Sequence, residues 1–216
     1  MAVDTEKRLA AEAAASLVEE GMVVGLGTGS TVAFLLPALA ARELDLRCVA
    51  TSVATETAAR ELGLSVESFA GAGAVPQLDI AIDGADQVAP SGWLVKGGGA
   101  AHTREKAVAA AAERFVVIVS SEKLVEELAP PVPLELLEFG LAATLQRLGE
   151  VRLRDVPRSP DGGVIADYIG DFDEPQELAD RFATTVGVVE HGLFPPALVS
   201  DVIVARGQEV EIRSLT

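Results

Sequence analysis

Three short apolar runs set the frame of this chain: Met22-Val-Val-Gly-Leu26, Leu78-Asp-Ile-Ala-Ile82 and Phe115-Val-Val-Ile-Val119. Each reads as a buried strand, and stretches of helical character separate them. Strands alternating with helices imply a mostly parallel sheet covered on both faces. The first part of the chain therefore reads as a helix over 4–20, with Asp4 or Thr5 as N-cap and Leu9, Ala13 and Leu17 as its buried stripe. Strand 22–26 follows, then a helix from about Ser30 that Pro37 should kink or shorten. Next come strand 46–51, a helix over 55–62 closed by Gly63, strands 78–82 and 93–96, an alanine-rich helix over 101–113, and strand 115–119.

The rhythm changes after about residue 129, where Pro130-Pro131-Val132-Pro133 forms a stiff connector. Beyond it the order is strand, helix, strand, strand, helix, strand, with helices over 139–148 and 175–183. The strands fall near 133–138, 151–156, 163–168 and 186–190. A last pair, 201–205 and 209–213, turns at Gly207 and returns to the first sheet. The expected fold class is α/β: a Rossmann-like parallel sheet with helices on both faces, plus a smaller α+β, ferredoxin-like domain. The expected domains are 1–129 with 202–216, and 130–201.

Charge narrows the partners. The formal net charge is −16 and the sequence pI about 4.4, a field that repels nucleic acid and anionic membranes. An anionic substrate then needs strong local positive potential. Lys7, Lys96, Lys106 and Lys123 are the only lysines, and many carboxylates beside few lysines resemble the surfaces of proteins from salt-loving organisms. No apolar run reaches the roughly 18 residues that span a bilayer. The start, with Asp4, Glu6, Lys7, Arg8 and Glu12, does not read as a secretory signal, so a cytoplasmic location is expected. Cys48 reads as a buried structural thiol.

Three motifs carry chemistry. Gly25-Leu-Gly27-Thr28-Gly29-Ser30-Thr31 lies where a strand meets a helix, and exposed amides with hydroxyls there form either an anion site or a plain tight turn. It is neither a dinucleotide fingerprint nor an ATP P-loop. Asp83-Gly84-Ala85-Asp86 ends a buried strand, where its carboxylates either face the ligand crevice of an open α/β sheet or cap loop amides. Asp79 reads as structural. Lys96-Gly97-Gly98-Gly99-Ala-Ala-His102-Thr103-Arg104-Glu105-Lys106 places a cation before three consecutive glycines and a carboxylate in the first turn of the next helix. That glutamate also suits the helix dipole alone.

Together and in this order, these strings resemble the ribose-5-phosphate isomerases of the A type over nearly the whole chain. Thr51-Ser52-x-x-Thr55 and Gly187-Val-Val-Glu-His-Gly-Leu-Phe194 extend the likeness. The resemblance implies interconversion of ribose 5-phosphate and ribulose 5-phosphate without metal or organic cofactor, by a homodimer or homotetramer. It assigns catalysis to Glu105, Asp83, Asp86 and Lys96. It assigns substrate binding to the phosphate loop Thr28, Gly29, Ser30 and Thr31, and to Gly84, Ala85, Gly97, Gly98, Gly99, Lys123 and Lys7. Burial would give Glu105 the pKa of a base that moves a proton between C2 and C1 through an enediolate.

Three positions depart from the family pattern. Gln87 stands where glutamate is usual, Ser121 where aspartate is common, and Pro37 interrupts the helix behind the phosphate loop. His102 is a candidate to line the glycine loop, His191 to be structural or at a subunit contact, and the apolar Leu193-Phe194 to form a subunit contact. Two alternatives make different demands. A sugar-phosphate sensor would have no need of Glu105, and a CoA-transfer enzyme would need adenosine-binding features that the sequence does not display.

Overall fold

The computed structural model describes residues 2–215. Its elements run α1 Ala2–Ala15, β1 Val23–Leu26, α2 Val32–Ala40, β2 Arg47–Ala50, α3 Val53–Glu61, β3 Ser65–Glu67, β4 Leu78–Asp83, β5 Gln87–Val88 and β6 Leu94–Val95. They continue as α4 His102–Ala111, β7 Ala112–Ser120, β8 Val132–Leu136, α5 Leu141–Leu148, β9 Val151–Leu153, β10 Val164–Tyr168, α6 Pro175–Thr184, β11 Val188–His191, β12 Leu193–Phe194, β13 Asp201–Arg206 and β14 Glu209–Ser214.

Seven strands form the main sheet in the order β14-β13-β7-β4-β1-β2-β3. Every pairing is parallel except the β13–β14 hairpin. Alternation along the strands divides the apolar side chains between two faces. Val24, Leu26, Ile80, Ile82, Val116, Ile118 and Ile203 meet α1 and α2 on one face. Leu78, Ala81, Phe115, Val117, Val119, Val202 and Val204 meet Val108 and Ala109 of α4 on the other. Cys48 on β2 is fully buried in the first of these layers. From β1 the chain proceeds outward to β2 and β3, whereas β4 pairs on β1's other side. The carboxyl ends of β1 and β4 therefore flank a topological switch point, where ligands of open α/β sheets bind.

The second sheet, β11-β8-β10-β9, is antiparallel and packs its own core of Val132, Leu134, Leu136, Ala166 and Tyr168 against Leu178 and Phe182 of α6. A third, β12-β6-β5, joins two-residue strands beside the main sheet.

Several expectations are corrected. The first helix begins at Ala2, so Asp4 lies within its first turn, and it ends at Ala15. Beyond that the chain makes tighter turns, Leu17 N–H to Ala14 O and Val18 N–H to Ala15 O. The Arg42 guanidinium takes up the carbonyls of Ala15 and Val18. The fully buried face is Ala10, Ala11 and Ala14, with Leu9, Ala13 and Leu17 along its edge, because small residues allow α1 close to α2. Helix α2 passes through Pro37 and ends three residues later. Leu193 and Phe194 are fully buried within the chain, paired to β6, and offer nothing to a partner subunit.

Candidate active site

The chemistry gathers at the carboxyl ends of β1 and β4. Gly27 leaves β1 with its amide still bonded to Ile82 O at 2.9 Å. A Cβ on Gly27 would stand 2.0 Å from Oδ1 of Asp83, so the bare glycine makes room for that carboxylate. Thr28 then donates its amide to Asp83 Oδ1 at 3.0 Å. Its hydroxyl pairs with Thr51 Oγ1 at 2.8 Å, and Thr55 Oγ1 donates to Gly27 O at 2.9 Å. Ser52 caps α3 by accepting the Thr55 amide at 3.2 Å. The Thr51–Thr55 turn thus braces the loop from behind, while Gly29 and Ser30 stay exposed.

Lys96 enters from the end of β6. Its ammonium lies 3.0 Å from Asp83 Oδ2 and 3.2 Å from Glu105 Oε2, donates to Gly84 O, and sits 5.4 Å from the centre of the Phe194 ring. All three charged groups are buried. The glycines after Lys96 let the chain double back: Gly97 has φ +99°, and a Cβ there would strike the His102 side chain. Gly98 donates its amide to Asp86 Oδ2 at 2.7 Å. Ala100 holds the left-handed φ of 59° just before α4 begins and delivers Glu105.

Burial pushes the Glu105 carboxyl up to about 8; the Lys96 cation opposes this, and the carboxylates of Asp83 and Asp86 add to it. Burial also raises Asp83, against Lys96 and the amides of Thr28 and Gly84. Burial alone would lower Lys96, but Asp83 and Glu105 outweigh it and hold the ammonium above its ordinary value. Asp83 has two backbone donors besides the lysine, whereas Glu105 meets the same lysine at 3.2 Å. Both carboxylates are raised by burial, so the extra proton belongs to the triad as a whole.

One cavity is lined by Thr28, Gly29, Ser30, Thr31, Gly84, Ala85, Asp86, Lys96, Gly97, Gly98, Gly99, Glu105 and Lys123. Of the residues that the resemblance assigns to catalysis and substrate binding, only Asp83 and Lys7 lie off its wall. Asp83 is buried behind Lys96. Lys7 is half-buried on α1, next to Glu6, whose carboxylate accepts Ser121 N–H and Oγ–H at 2.9 Å each and Gly207 N–H at 2.8 Å. Those bonds fix the turn that presents Lys123. Asp79 accepts the Val23 amide at 2.7 Å, a structural role.

The departures also find places. Gln87 donates to Ala129 O and accepts from Ala129 N, both at 2.8 Å, so both ends of the amide are used and a carboxylate would lose the donor. His102 is buried behind Gly97, off the cavity wall; burial, with Lys106 nearby, lowers its pKa to about 3 and keeps it neutral. His191 accepts from Leu193 N at 3.3 Å and meets Lys106. Sequence reasoning passed over the ties between α4 and the antiparallel sheet. Lys106 bonds Glu190 at 2.6 Å and His191 O at 2.7 Å, Arg104 bonds Asp161 at 2.7 and 2.8 Å, and Thr103 bonds Glu135. The run of polar residues at 103–106 was their only signal.

The family described as ribose 5-phosphate isomerase A (phosphoriboisomerase A) matches residues 47–209. The DeoR C terminal sensor domain matches 3–86, a span that stops before Lys96 and Glu105. The chain is 47% identical over 209 residues to ribose-5-phosphate isomerase A of Caulobacter sp. (strain K31), covering 90% of this chain and 91% of that one. It is 45% identical over 202 residues to the enzyme of that name from Halobacterium salinarum, covering 88% and 87%. A solved D-ribose-5-phosphate isomerase in complex with phospho-erythronic acid superposes with a TM-score of 0.91 at 33% identity, covering 99% of this chain and 100% of that one.

Proposed function

Because this chain belongs to the ribose 5-phosphate isomerase A family, its reaction is the interconversion of ribose 5-phosphate and ribulose 5-phosphate through an enediolate, and we propose that Glu105 is the base that moves the proton. One observation carries this assignment: the Glu105 carboxylate lines the cavity with a pKa raised to about 8, close to the value at which a carboxylate both takes and returns a proton near neutrality.

In the proposed course the phosphate rests on the amides and hydroxyls of Thr28–Thr31, with Lys123 supplying positive charge. This remote binding holds C1 and C2 against Glu105. Glu105 takes the proton from C2 of the open-chain aldose, the C1–C2 bond becomes double, and charge collects on O1. Lys96 and the amides of the glycine loop stand ready for that charge. Return of the proton to C1 and transfer of the O2 proton to O1 complete the ketose. We assign the hydroxyl proton transfer to Asp86, which lines the cavity, and give buried Asp83 the task of fixing Lys96. Lys7 acts at most through long-range charge. The ligand named with the solved relative, phospho-erythronic acid, is a four-carbon phosphorylated acid whose carboxylate suits the same donors.

The reading extends to organisation. Strands β8 to β11 all fall within 130–201, which supports that segment as a domain beside 1–129 with 202–216. A homodimer or homotetramer would use exposed Leu137, Phe139 and Val186, and light scattering measures its size. The central test is turnover of ribose 5-phosphate by the purified protein and by Glu105→Gln. The variant is expected to lose a factor of about 10²–10⁴. Full activity in Glu105→Gln would remove the assigned base.

A further inference from the structure

Arg154, just past β9, ties the antiparallel sheet to the glycine loop. Its Nε and Nη2 donate to Oδ2 and Oδ1 of Asp167 on β10, at 2.9 and 2.6 Å. Its Nη1 donates to the carbonyls of Gly97 and Gly98, at 3.0 and 3.1 Å. Asp167 is buried, and the Arg154 side chain is only 16% exposed. The guanidinium is thus clamped on one side and grips two successive carbonyls on the other.

The direction of that grip matters. A trans peptide sets its C=O and N–H on opposite sides. The Gly97 carbonyl shares a peptide unit with the Gly98 N–H, and the Gly98 carbonyl with the Gly99 N–H. Drawing both carbonyls toward Arg154 turns both N–H groups away from it. The first meets Asp86 on the cavity wall at 2.7 Å. The second belongs to Gly99, also on the wall, and makes no hydrogen bond among the described residues. Three glycines give the loop little stiffness of its own, so its orientation must be imposed from outside.

We propose that Arg154, clamped by Asp167, is a positioning residue that aims the Gly99 amide at the oxyanion formed during isomerisation and holds the Gly98 amide on Asp86. The proposal rests on the reading that this cavity performs the reaction. It requires a planar fork that reaches both carbonyls while remaining clamped, which the single ammonium of a lysine does not supply.

The test uses the whole chain carrying Arg154→Ala, Arg154→Lys or Asp167→Asn, assayed beside Glu105→Gln. Both Arg154 variants should lose about 10- to 100-fold in kcat, with KM within about threefold of the parent, since the phosphate loop is untouched. Phospho-erythronic acid should bind roughly tenfold more weakly while inorganic phosphate binds as before, and millimolar guanidinium should restore part of the Arg154→Ala turnover. If Arg154→Ala does not fold, Arg154→Lys and Asp167→Asn carry the same readouts. A kcat within about twofold of the parent, or equal weakening of both ligands, overturns the proposal. Should Glu105→Gln prove fully active, the reading of the cavity falls, whatever Arg154 does.

Discussion

Glu105 and Asp83 govern each other's charge through one shared cation, the Lys96 ammonium, 3.2 Å from the first and 3.0 Å from the second. Two buried carboxylates face one lysine, so the triad is neutral only when it holds an extra proton.

Removing the cation should therefore be costly in a pH-dependent way. Lys96→Met leaves both carboxylates without a counter-charge, a loss of about 3–5 kcal/mol for a broken buried pair. Denaturant titrations should show the largest loss near pH 8 and a smaller one near pH 5, where protons neutralise the pair. Glu105→Gln has the opposite sign. Its carboxyl is raised from 4.5 to about 8, so the folded state binds the extra proton and the parent loses stability as pH climbs through that window. The glutamine variant should melt like the parent near pH 4.5 and increasingly above it toward pH 8.

The same raised pKa shapes the rate. For the parent, kcat/KM should climb about tenfold per pH unit below about 8 and level off above it, as the free enzyme's base ionises. The substrate phosphate, with its second ionisation near about 6, would bend the profile two units lower. A profile flat from pH 6.5 to 9 would contradict the assignment of Glu105.

Gly27→Ala should displace the Asp83 carboxylate, since the added methyl would stand 2.0 Å from Oδ1. Asp83 then loses the Thr28 amide and its hold on Lys96. A drop in kcat of about 10²-fold or more is expected, with a lowered Tm, because such a displacement near the reacting groups is costly. Normal activity in the alanine variant would show that Asp83 need not stay where it is.

Much of this site could be read from the sequence because its parts are loop strings between buried strands. Gly27–Thr31, Asp83–Asp86 and Lys96–Gly99 follow β1, β4 and β6 directly, and strand ends fix such residues in space. Strand β3 was missed because three half-polar residues have no clear period, and the two-residue strands β5 and β12 show only through their pairing with the expected β6. Arg154 and Asp167 belong to no motif in the sequence. Their meaning lies in partners 57 and 13 residues away, a distance no local pattern encodes.

Salt should matter. At a net charge of −16, self-repulsion opposes the compact state, and screening shortens from about 10 Å at 0.1 M to about 3 Å at 1 M salt. Tm should rise steadily from dilute buffer to 1 M KCl, and KM for the anionic substrate should fall over the first few hundred millimolar. Full folding and full activity in dilute buffer would overturn this expectation.

Cys48 gives the chain a built-in clock. Its thiol is sealed inside the main sheet, and burial pushes its pKa up to about 11, so almost no thiolate exists near neutrality and an alkylating reagent finds nothing to attack. Labelling must wait until β2 parts from its neighbours. The rate at which a single mass tag appears therefore counts openings of the sheet itself, with no engineered probe and no second cysteine to confuse the record.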